Sequence, residues 1–228
     1  MKKIVVLTGA GISAESGIET FRASDGLWNN YKVEEVASPE GWRKNKEIVL
    51  DFYNQRRAKL KEVKPNQAHF ILKDLEQFFE VEIITQNIDD LHERAGSSNI
   101  LHLHGELYKM CSSQNRKLVY DCFEDIKIGD KAADGSQLRP DIVWFGEDVP
   151  LYPAAIEKVK KADIFIVIGT SLQVYPAANL LNFIKHEAQF ILINPDQDGG
   201  NYGGNCVYIK EKATVGMQKL YDVLVNEI

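Results

Sequence analysis

The sequence predicts an α/β fold: a doubly wound parallel sheet of the Rossmann type with a smaller inserted domain. Short apolar runs typical of buried strands alternate with segments of helical periodicity. Several of these runs end in Gly, Thr, Ser, Asn or Asp, which places polar groups along one edge of the sheet. The stretch 109–137 is polar and has no clear period, so we expect an insert there. We assign 1–30, 75–108 and 138–228 to the large domain, and 31–74 with 109–137 to the small one.

The composition narrows the class of protein. The chain has 228 residues, 44% hydrophobic and 26% charged, as in globular domains. A net charge of -6 argues against a surface that coats nucleic acid or anionic lipid. No apolar run approaches the roughly 20 residues of a membrane-spanning helix. The 3 cysteines form no C-x-x-C motif, which predicts a reducing, cytoplasmic environment.

A glycine-rich turn follows the first predicted strand, residues 4–7. Without a Cβ, Gly9 and Gly11 allow a tight turn and a close approach to a pyrophosphate, whose charge would meet backbone N–H groups and the start of a helix. The dinucleotide fingerprint also requires an acidic residue at the end of a second strand. Glu34 and Glu35 are the acidic candidates, but no predicted strand leads into them. A nucleotide-binding turn and an ordinary strand-to-helix connection both stay open.

Residues 46–62 have helical periodicity and carry a polar pair on one face. Tyr53 and Arg56 are three residues apart and project in the same direction. A phenol beside a guanidinium suits a carboxylate, because Arg offers a planar fork of donors and Tyr offers one more. The alternative is that Arg56 pairs with a neighbouring acid of the chain.

Polar residues follow the second predicted strand, residues 81–85. Gln86, Asn87 and Asp89 stand where open α/β sheets bind ligands, at the carboxyl ends of the strands. They are either site residues or caps of the helix that carries His92. Two later apolar runs end in the same way, and the residues that follow them are Gly169, Thr170 and Ser171, then Asn194, Pro195 and Asp196.

A third strand is predicted over residues 100–105, with His102 and His104 at alternating positions on one face. Two histidines on one face could bind a metal, although the sequence places no third ligand beside them. His104 at the end of the strand could instead act as a general base. Both could also be buried structural histidines, and the residues alone leave all three possibilities open.

Six sequence blocks in this order resemble the sirtuins, a family of NAD-dependent protein lysine deacylases. The resemblance covers nearly the whole chain, which makes it far more specific than any single block. The blocks are GAGISAESGIETFR from Gly9, TQNID from Thr85, HLHGEL from His102, RPDIVWFGE from Arg139, GTSLQVYPAA from Gly169 and INPD from Ile193.

The resemblance implies NAD as cofactor and His104 as the catalytic base. The cofactor-binding residues that it implies are Gly9, Ala10, Gly11, Ile12, Ser13, Ala14, Glu15, Thr20, Phe21, Arg22, Trp28, Gln86, Asn87, Ile88, Asp89, Gly169, Thr170, Ser171, Asn194, Pro195, Asp196 and Ala213. The substrate-binding residues that it implies are Ala37, Tyr53, Arg56, Val143, Phe145, Gly146, Glu147 and Val174.

The activity implied is removal of acyl groups from protein lysines, with transfer to ADP-ribose and release of nicotinamide. The Tyr53 and Arg56 pair resembles the bacterial class that removes succinyl and malonyl groups, so we expect these groups to be removed, and acetyl groups as well. The partners expected are acylated proteins or peptides, with no nucleic acid and no membrane. The alternatives are a protein that is mainly a deacetylase, or an ordinary NAD-dependent dehydrogenase.

The insert departs from the family, which usually carries four cysteines there around a structural zinc. Here the insert has only Cys111 and Cys122, widely spaced. We therefore expect no zinc and no other metal. We expect packing to hold the insert instead, through Leu118, Val119, Tyr120 and Phe123.

Overall fold

The computed structural model describes residues 1–20, 31–196 and 206–226, and the backbone of residues 27–28. In chain order the strands are β1 Lys3–Thr8, β2 Leu27–Trp28, β3 Tyr31–Lys32, β4 Glu80–Thr85, β5 Ile100–His102, β6 Gly105–Ser112, β7 Val119–Asp121, β8 Leu138–Ile142, β9 Ile164–Ile168, β10 Gln189–Ile193 and β11 Cys206–Ile209. The helices are α1 Ala10–Ala14, α2 Val33–Val36, α3 Pro39–Lys44, α4 Lys46–Glu62, α5 Gln67–Leu75, α6 Leu91–Arg94, α7 Tyr152–Val159, the 3-10 helix Ala177–Phe183 and α8 Ala213–Asn226.

Six strands form one parallel sheet in the order β11-β10-β9-β1-β4-β5. The predicted doubly wound sheet is therefore confirmed. The chain builds outward from β1 through β4 to β5, then returns to the other side of β1 and builds through β9 to β11. The order reverses between β1 and β9, and ligands of such sheets bind in the crevice beyond the carboxyl ends at this point.

Alternating residues of the central strands bury two apolar cores, one on each face of the sheet. Ile4 and Val6 of β1 pack with the side chains of α5 and α8. Val5 and Leu7 pack on the opposite face with α7 and the 3-10 helix. This period of two, buried on both faces, explains why β1 is a continuous apolar run.

A third core joins α2, α3 and α4 to a separate sheet with the strand order β7-β6-β8. Phe52 and Tyr53 of α4 and Trp144 after β8 are its large buried side chains. The core draws on both segments that we assign to the small domain and also on Trp144, which lies outside them. The domain boundaries stay a prediction.

Two details differ from the sequence-based expectation. The predicted strand 100–105 ends at His102, and a turn at residues 103–104 separates β5 from β6. The insert also contains regular structure, because β6 extends to Ser112 and pairs with both β7 and β8.

The packing predicted for the insert is partly wrong. Val119 in the short strand β7 is 42% exposed, and Phe123, which follows that strand, is 58% exposed. The buried apolar side chains of the insert are instead those of Cys111, Cys122, Ile126 and Ala132. Asn54 of α4 also holds the insert through two hydrogen bonds. Its Nδ2 donates to the Ile126 carbonyl, and its Oδ1 accepts from Ile126 N–H.

Among the described residues, none of the helices combines the length and the apolar character that crossing a membrane requires.

Candidate active site

The glycine turn after β1 packs directly against the turn after β9. Gly9 N–H donates to the Ile168 carbonyl at 3.0 Å, and Gly11 N–H donates to the Gly169 carbonyl at 2.8 Å. A Cβ on Gly11 would lie 2.6 Å from the Gly169 Cα, and Gly169 itself has a φ of +63°. Both N–H groups therefore have acceptors within the protein, and the glycines are needed because two backbones meet here. That this turn approaches a pyrophosphate stays a prediction.

A buried polar network lies next to this contact and links α1 to the segment after β4. Ser13 Oγ donates to Asp89 Oδ2 at 3.0 Å, and the Asn87 amide donates to Ser13 Oγ at 3.1 Å. All three side chains are buried. Asp89 Oδ1 also accepts from the N–H of Leu91, the first residue of α6, although Asp90 occupies the N-cap position.

The network continues into residues that the sequence analysis did not select. Thr8 and Thr85 are the last residues of β1 and β4 and stand directly opposite each other. Their hydroxyls bond at 2.8 Å, and Thr8 Oγ also lies 3.1 Å from His92 Nε2. Thr85 Oγ in turn accepts from Asn87 N–H. One signal in the sequence could have identified these residues: each of the two adjacent strands ends in a residue with a hydroxyl group.

The carboxyl group of Asp89 is chemically unusual. Burial raises its pKa to about 6, although the hydrogen bonds from Leu91 and Ser13 and the charge of His102 act in the opposite direction. A buried carboxylate with a shifted pKa at the switch point of the sheet is a candidate for ligand binding.

His104 lies in the turn between β5 and β6, beside this network. Its Nδ1 is 3.1 Å from the Gln86 carbonyl, which requires the ring proton on Nδ1 and leaves the lone pair on Nε2. Burial lowers the pKa of His104, while the Gln86 bond raises it. Its own carbonyl accepts from Val143 N–H at 2.9 Å, which ties His104 to the segment after β8.

The two histidines do not form a metal site with neighbouring residues. His102 ends β5 and faces the Asn87 carbonyl and Glu93. Within residues 1–20, 31–196 and 206–226, no group of three or more His, Cys, Asp or Glu side chains could hold a metal ion.

The turn after β10 closes the other side of the crevice. The Asn194 amide donates to the Thr170 carbonyl at 2.9 Å, so the turns after β9 and β10 are joined. Asn194 Oδ1 accepts from Asp196 N–H. Pro195 and Asp196 are exposed, and Ser171 is half-buried.

The remaining residues of the predicted cofactor set have varied surroundings. Ile12 and Ala213 are buried in the core beneath α8, and the Glu15 carboxylate accepts from the N–H and hydroxyl of Thr214, where it caps that helix. Ile88 packs on the third core, and its carbonyl accepts from Leu107 N–H. Ala10 and Thr20 are half-buried, and Ala14 is exposed. Phe21 and Arg22 lie outside the described residues, as does the side chain of Trp28.

Tyr53 and Arg56 lie where α4 meets the segment after β8. Tyr53 is fully buried, and its hydroxyl accepts from Trp144 Nε1 at 3.1 Å. The Arg56 guanidinium lies 3.5 Å from the centre of the Phe52 ring, and burial lowers its pKa to about 10. Ala37 is buried nearby, and its carbonyl accepts from Phe145 N–H at 3.0 Å.

The segment 143–147 is shaped by Glu147. Its carboxylate accepts from Arg139 Nη1 at 2.7 Å and from Trp144 N–H at 2.8 Å. Glu147 therefore holds the loop, and its contact with a substrate stays a prediction. Phe145 is 47% exposed, and nothing lies within 4 Å of the position that a Gly146 Cβ would occupy. Val174 is half-buried in the turn before the 3-10 helix.

This arrangement matches one known family. The family model described as "Sir2 family" matches residues 9–176. The chain belongs to the Sir2 family. The match spans the glycine turn, the segment after β4, His104 and the segment after β8.

Curated relatives and solved structures agree with this assignment. A Helicobacter pylori protein named NAD-dependent protein deacylase is 56% identical over 226 residues, 99% of each chain. A Bacteroides thetaiotaomicron protein of the same name is 51% identical, also over 99% of each chain. A Sir2 homologue solved with NAD has a TM-score of 0.88 at 41% identity, and the match covers 99% of this chain and 90% of that one. A Sir2 protein solved with a deacetylated p53 peptide has a TM-score of 0.79 at 30% identity, covering 96% and 92%.

Proposed function

We propose that this protein is an NAD-dependent protein deacylase, which transfers acyl groups from lysine side chains to ADP-ribose. The observation that carries the proposal is His104, with Nδ1 held by Gln86 and Nε2 bearing a lone pair, beside a buried carboxylate in a Sir2 chain. Relatives that match 99% of the chain bear the name of this activity.

The buried network fits the carboxamide of a nicotinamide. Each oxygen of Asp89 accepts one hydrogen bond in the protein, so each keeps acceptor capacity for an amide N–H. Bound NAD would supply an electrophilic ribose carbon, with nicotinamide as the leaving group. Asp89 and Asn87 would hold the carboxamide. The turns that begin at Gly9, Gly169 and Asn194 would line the rest of the cofactor site.

His104 would act as general base. Because its lowered pKa keeps the imidazole neutral near pH 7, Nε2 can take a proton from a ribose hydroxyl. The carbonyl oxygen of the acyl group would take the place of nicotinamide on the ribose, and the hydroxyl oxygen would capture the acyl carbon. One water would be consumed as lysine leaves, so that the products are O-acyl-ADP-ribose, free lysine and nicotinamide.

The peptide would bind as an added strand along residues 143–146, with Val174 opposite. Main-chain hydrogen bonds of this kind tolerate many sequences, so selectivity would depend mainly on the acyl pocket. Phe145 supports this assignment, because it presents an exposed ring on a segment whose backbone is anchored to Ala37.

The acyl preference that we propose is for succinyl and malonyl groups, with acetyl also accepted. The Tyr53 hydroxyl accepts from Trp144, which leaves its own proton for a carboxylate. Arg56 stays cationic at neutral pH even with its pKa lowered to about 10. Ala37 has a small side chain that leaves room for a longer acyl group. A methyl group in the same place would offer the Tyr53 hydroxyl no acceptor.

The experiment is a mass assay of acetyl-, malonyl- and succinyl-lysine peptides with and without NAD. We expect NAD-dependent loss of each acyl group and equimolar nicotinamide. Reduced nicotinamide without nicotinamide release would indicate a dehydrogenase, and activity on acetyl-lysine alone would indicate a deacetylase.

A single substitution tests the proposed acyl preference separately from the deacylase activity. Arg56→Met should lower kcat/KM for succinyl peptides about 10- to 100-fold, since a charge-assisted hydrogen bond is worth about 1.5 to 3 kcal/mol. Acetyl turnover should change much less. Arg43→Met, at an exposed arginine of α3, is the matched control. Equal losses on both substrates would contradict the preference.

A further inference from the structure

His102 has no role in the mechanism proposed above, yet its ring is held at both nitrogens. It is the last residue of β5 and only 9% exposed. Nδ1 lies 3.1 Å from the Asn87 carbonyl oxygen, and Nε2 lies 2.7 Å from Glu93 Oε1 on α6.

Both partners accept hydrogen bonds, which decides the charge of the ring. A neutral imidazole has one N–H and can satisfy only one of them, whereas an imidazolium satisfies both. The Glu93 side chain is 40% exposed, so its carboxylate stays in contact with water, and the short distance is typical of a charged pair. Burial disfavours the charge, but the Glu93 bond and the charges of Glu93 and Glu106 raise the pKa of His102.

This imidazolium lies against the segment that carries the proposed nicotinamide site. His104 Nδ1 bonds the carbonyl of Gln86, and His102 Nδ1 bonds the carbonyl of Asn87, the next residue. Two rings therefore fix consecutive carbonyls just before Asp89. The charge of His102 also opposes the effect of burial on Asp89. The other titratable groups that act on this pair are Asp90, His92, Glu93 and Glu106.

We infer that His102 is a positioning residue for the deacylation reaction: held as an imidazolium by Glu93, it fixes the Asn87 carbonyl and keeps a positive charge beside Asp89. The inference rests on the proposed function, because Asp89 matters only if it binds the cofactor. Its physical effect is to keep Asp89 ionised, and so a strong acceptor, at pH values where burial alone would favour protonation.

The first test compares His102→Gln and Glu93→Gln with the wild type. We expect the acid limb of the pH profile of kcat/KM for NAD to move up by about one pH unit, equivalent to a loss of about fivefold at pH 6 and about tenfold at pH 5. The loss should recover above pH 8, where Asp89 is ionised in every variant. Glu157→Gln is the matched control, because it removes an exposed carboxylate paired with Lys160 on α7. A merely structural His102 would lower activity equally at all pH values, and this outcome would overturn the inference.

The second test does not depend on the activity of any variant. In ¹⁵N-detected NMR of the wild type, the ring assigned by its absence from the His102→Gln spectrum should be protonated at both nitrogens at pH 7.5. A neutral ring would overturn the inference. If the wild type releases no nicotinamide from NAD and acyl peptide, the proposed function fails and the positioning role fails with it. An active wild type whose two variants keep its pH profile overturns the positioning role alone.

Discussion

Two regions of the candidate site differ in how their polar groups are held. We call the region around Ser13, Asn87 and Asp89 the edge, and the region around Tyr53 and Arg56 the acyl side. At the edge, Ser13, Asn87 and Asp89 form a continuous buried chain of hydrogen bonds that joins α1 to the segment after β4. On the acyl side, the hydrogen bond between Tyr53 and Trp144 stands within an apolar core. The edge is therefore built around one connected arrangement of donors and acceptors, whereas the acyl side has a single hydrogen bond set among apolar side chains. Changes at the edge should affect all substrates, and changes on the acyl side should separate them.

The largest effect is expected at the edge. His104→Ala should lower kcat about 10²- to 10⁴-fold for every acyl group, because a positioned general base contributes about that much. Mass analysis of the peptides measures the loss. Circular dichroism should show that His104→Ala is still folded. His186→Ala, at an exposed histidine outside the site, should keep full activity. Full deacylation by His104→Ala would remove the basis of the proposed mechanism.

Glu147→Gln tests the loop of the acyl side and should strongly destabilise the protein. It weakens a carboxylate that faces Arg139, whose side chain is 5% exposed, and leaves a buried cation poorly paired. Such a loss costs about 3 kcal/mol, which denaturant unfolding would measure. Glu62→Gln, in an exposed pair with Lys59, should be nearly neutral. Equal stability of the two variants would argue against this role of Glu147.

Asp89→Asn should stabilise the protein while impairing its activity. Because folding raises the pKa of Asp89 from 3.8 to about 6, its contribution to stability is present below pH 3.8 and is lost as the pH rises through about 6. The variant should therefore be more stable at pH 7.5 by roughly 2 to 3 kcal/mol, and the gain should vanish near pH 4.

Two measurements check the Asp89 prediction. Denaturant unfolding at several pH values follows the stability, and KM for NAD should rise for all acyl substrates. Asp121→Asn, at an exposed carboxylate of β7, is the control. A pH-independent change would show that charge is not the cause.

Tyr53→Phe should sharpen the contrast between the regions. It leaves Trp144 Nε1–H without its acceptor, at a cost of about 1 to 3 kcal/mol in unfolding free energy. Succinyl turnover should fall more than acetyl turnover, since only the longer group requires the phenol. Tyr175→Phe, at a tyrosine 68% exposed, should change neither quantity. An equal fall for both acyl groups would place Tyr53 outside substrate recognition.

Metal removal should have the smallest effect. Because we expect no structural zinc in the insert, incubation with a chelator should change the melting temperature by less than about 1 °C. Metal analysis of the untreated protein checks the same point. One zinc per chain, or a large drop in melting temperature, would contradict the prediction.

The sequence by itself determined the sheet and the location of the site. Residues 4–7 and 164–168 are apolar on both faces, which only a central parallel strand satisfies, and the polar residues that follow them must meet at one edge. The helix over residues 46–62 was predicted with the bounds found for α4, because its helical period is a local signal.

Only the tertiary structure decided which atoms meet. The N–H groups of Gly9 and Gly11 bond the turn after β9, and the Glu147 carboxylate holds Arg139. Neither the glycine pattern nor the family resemblance had indicated these partners. The charge of His102 likewise depends on Glu93 and Asn87, which approach it from other elements. Hydrogen-bond partners and desolvation depend on the distances between segments that are remote in sequence. Local sequence patterns do not determine these distances.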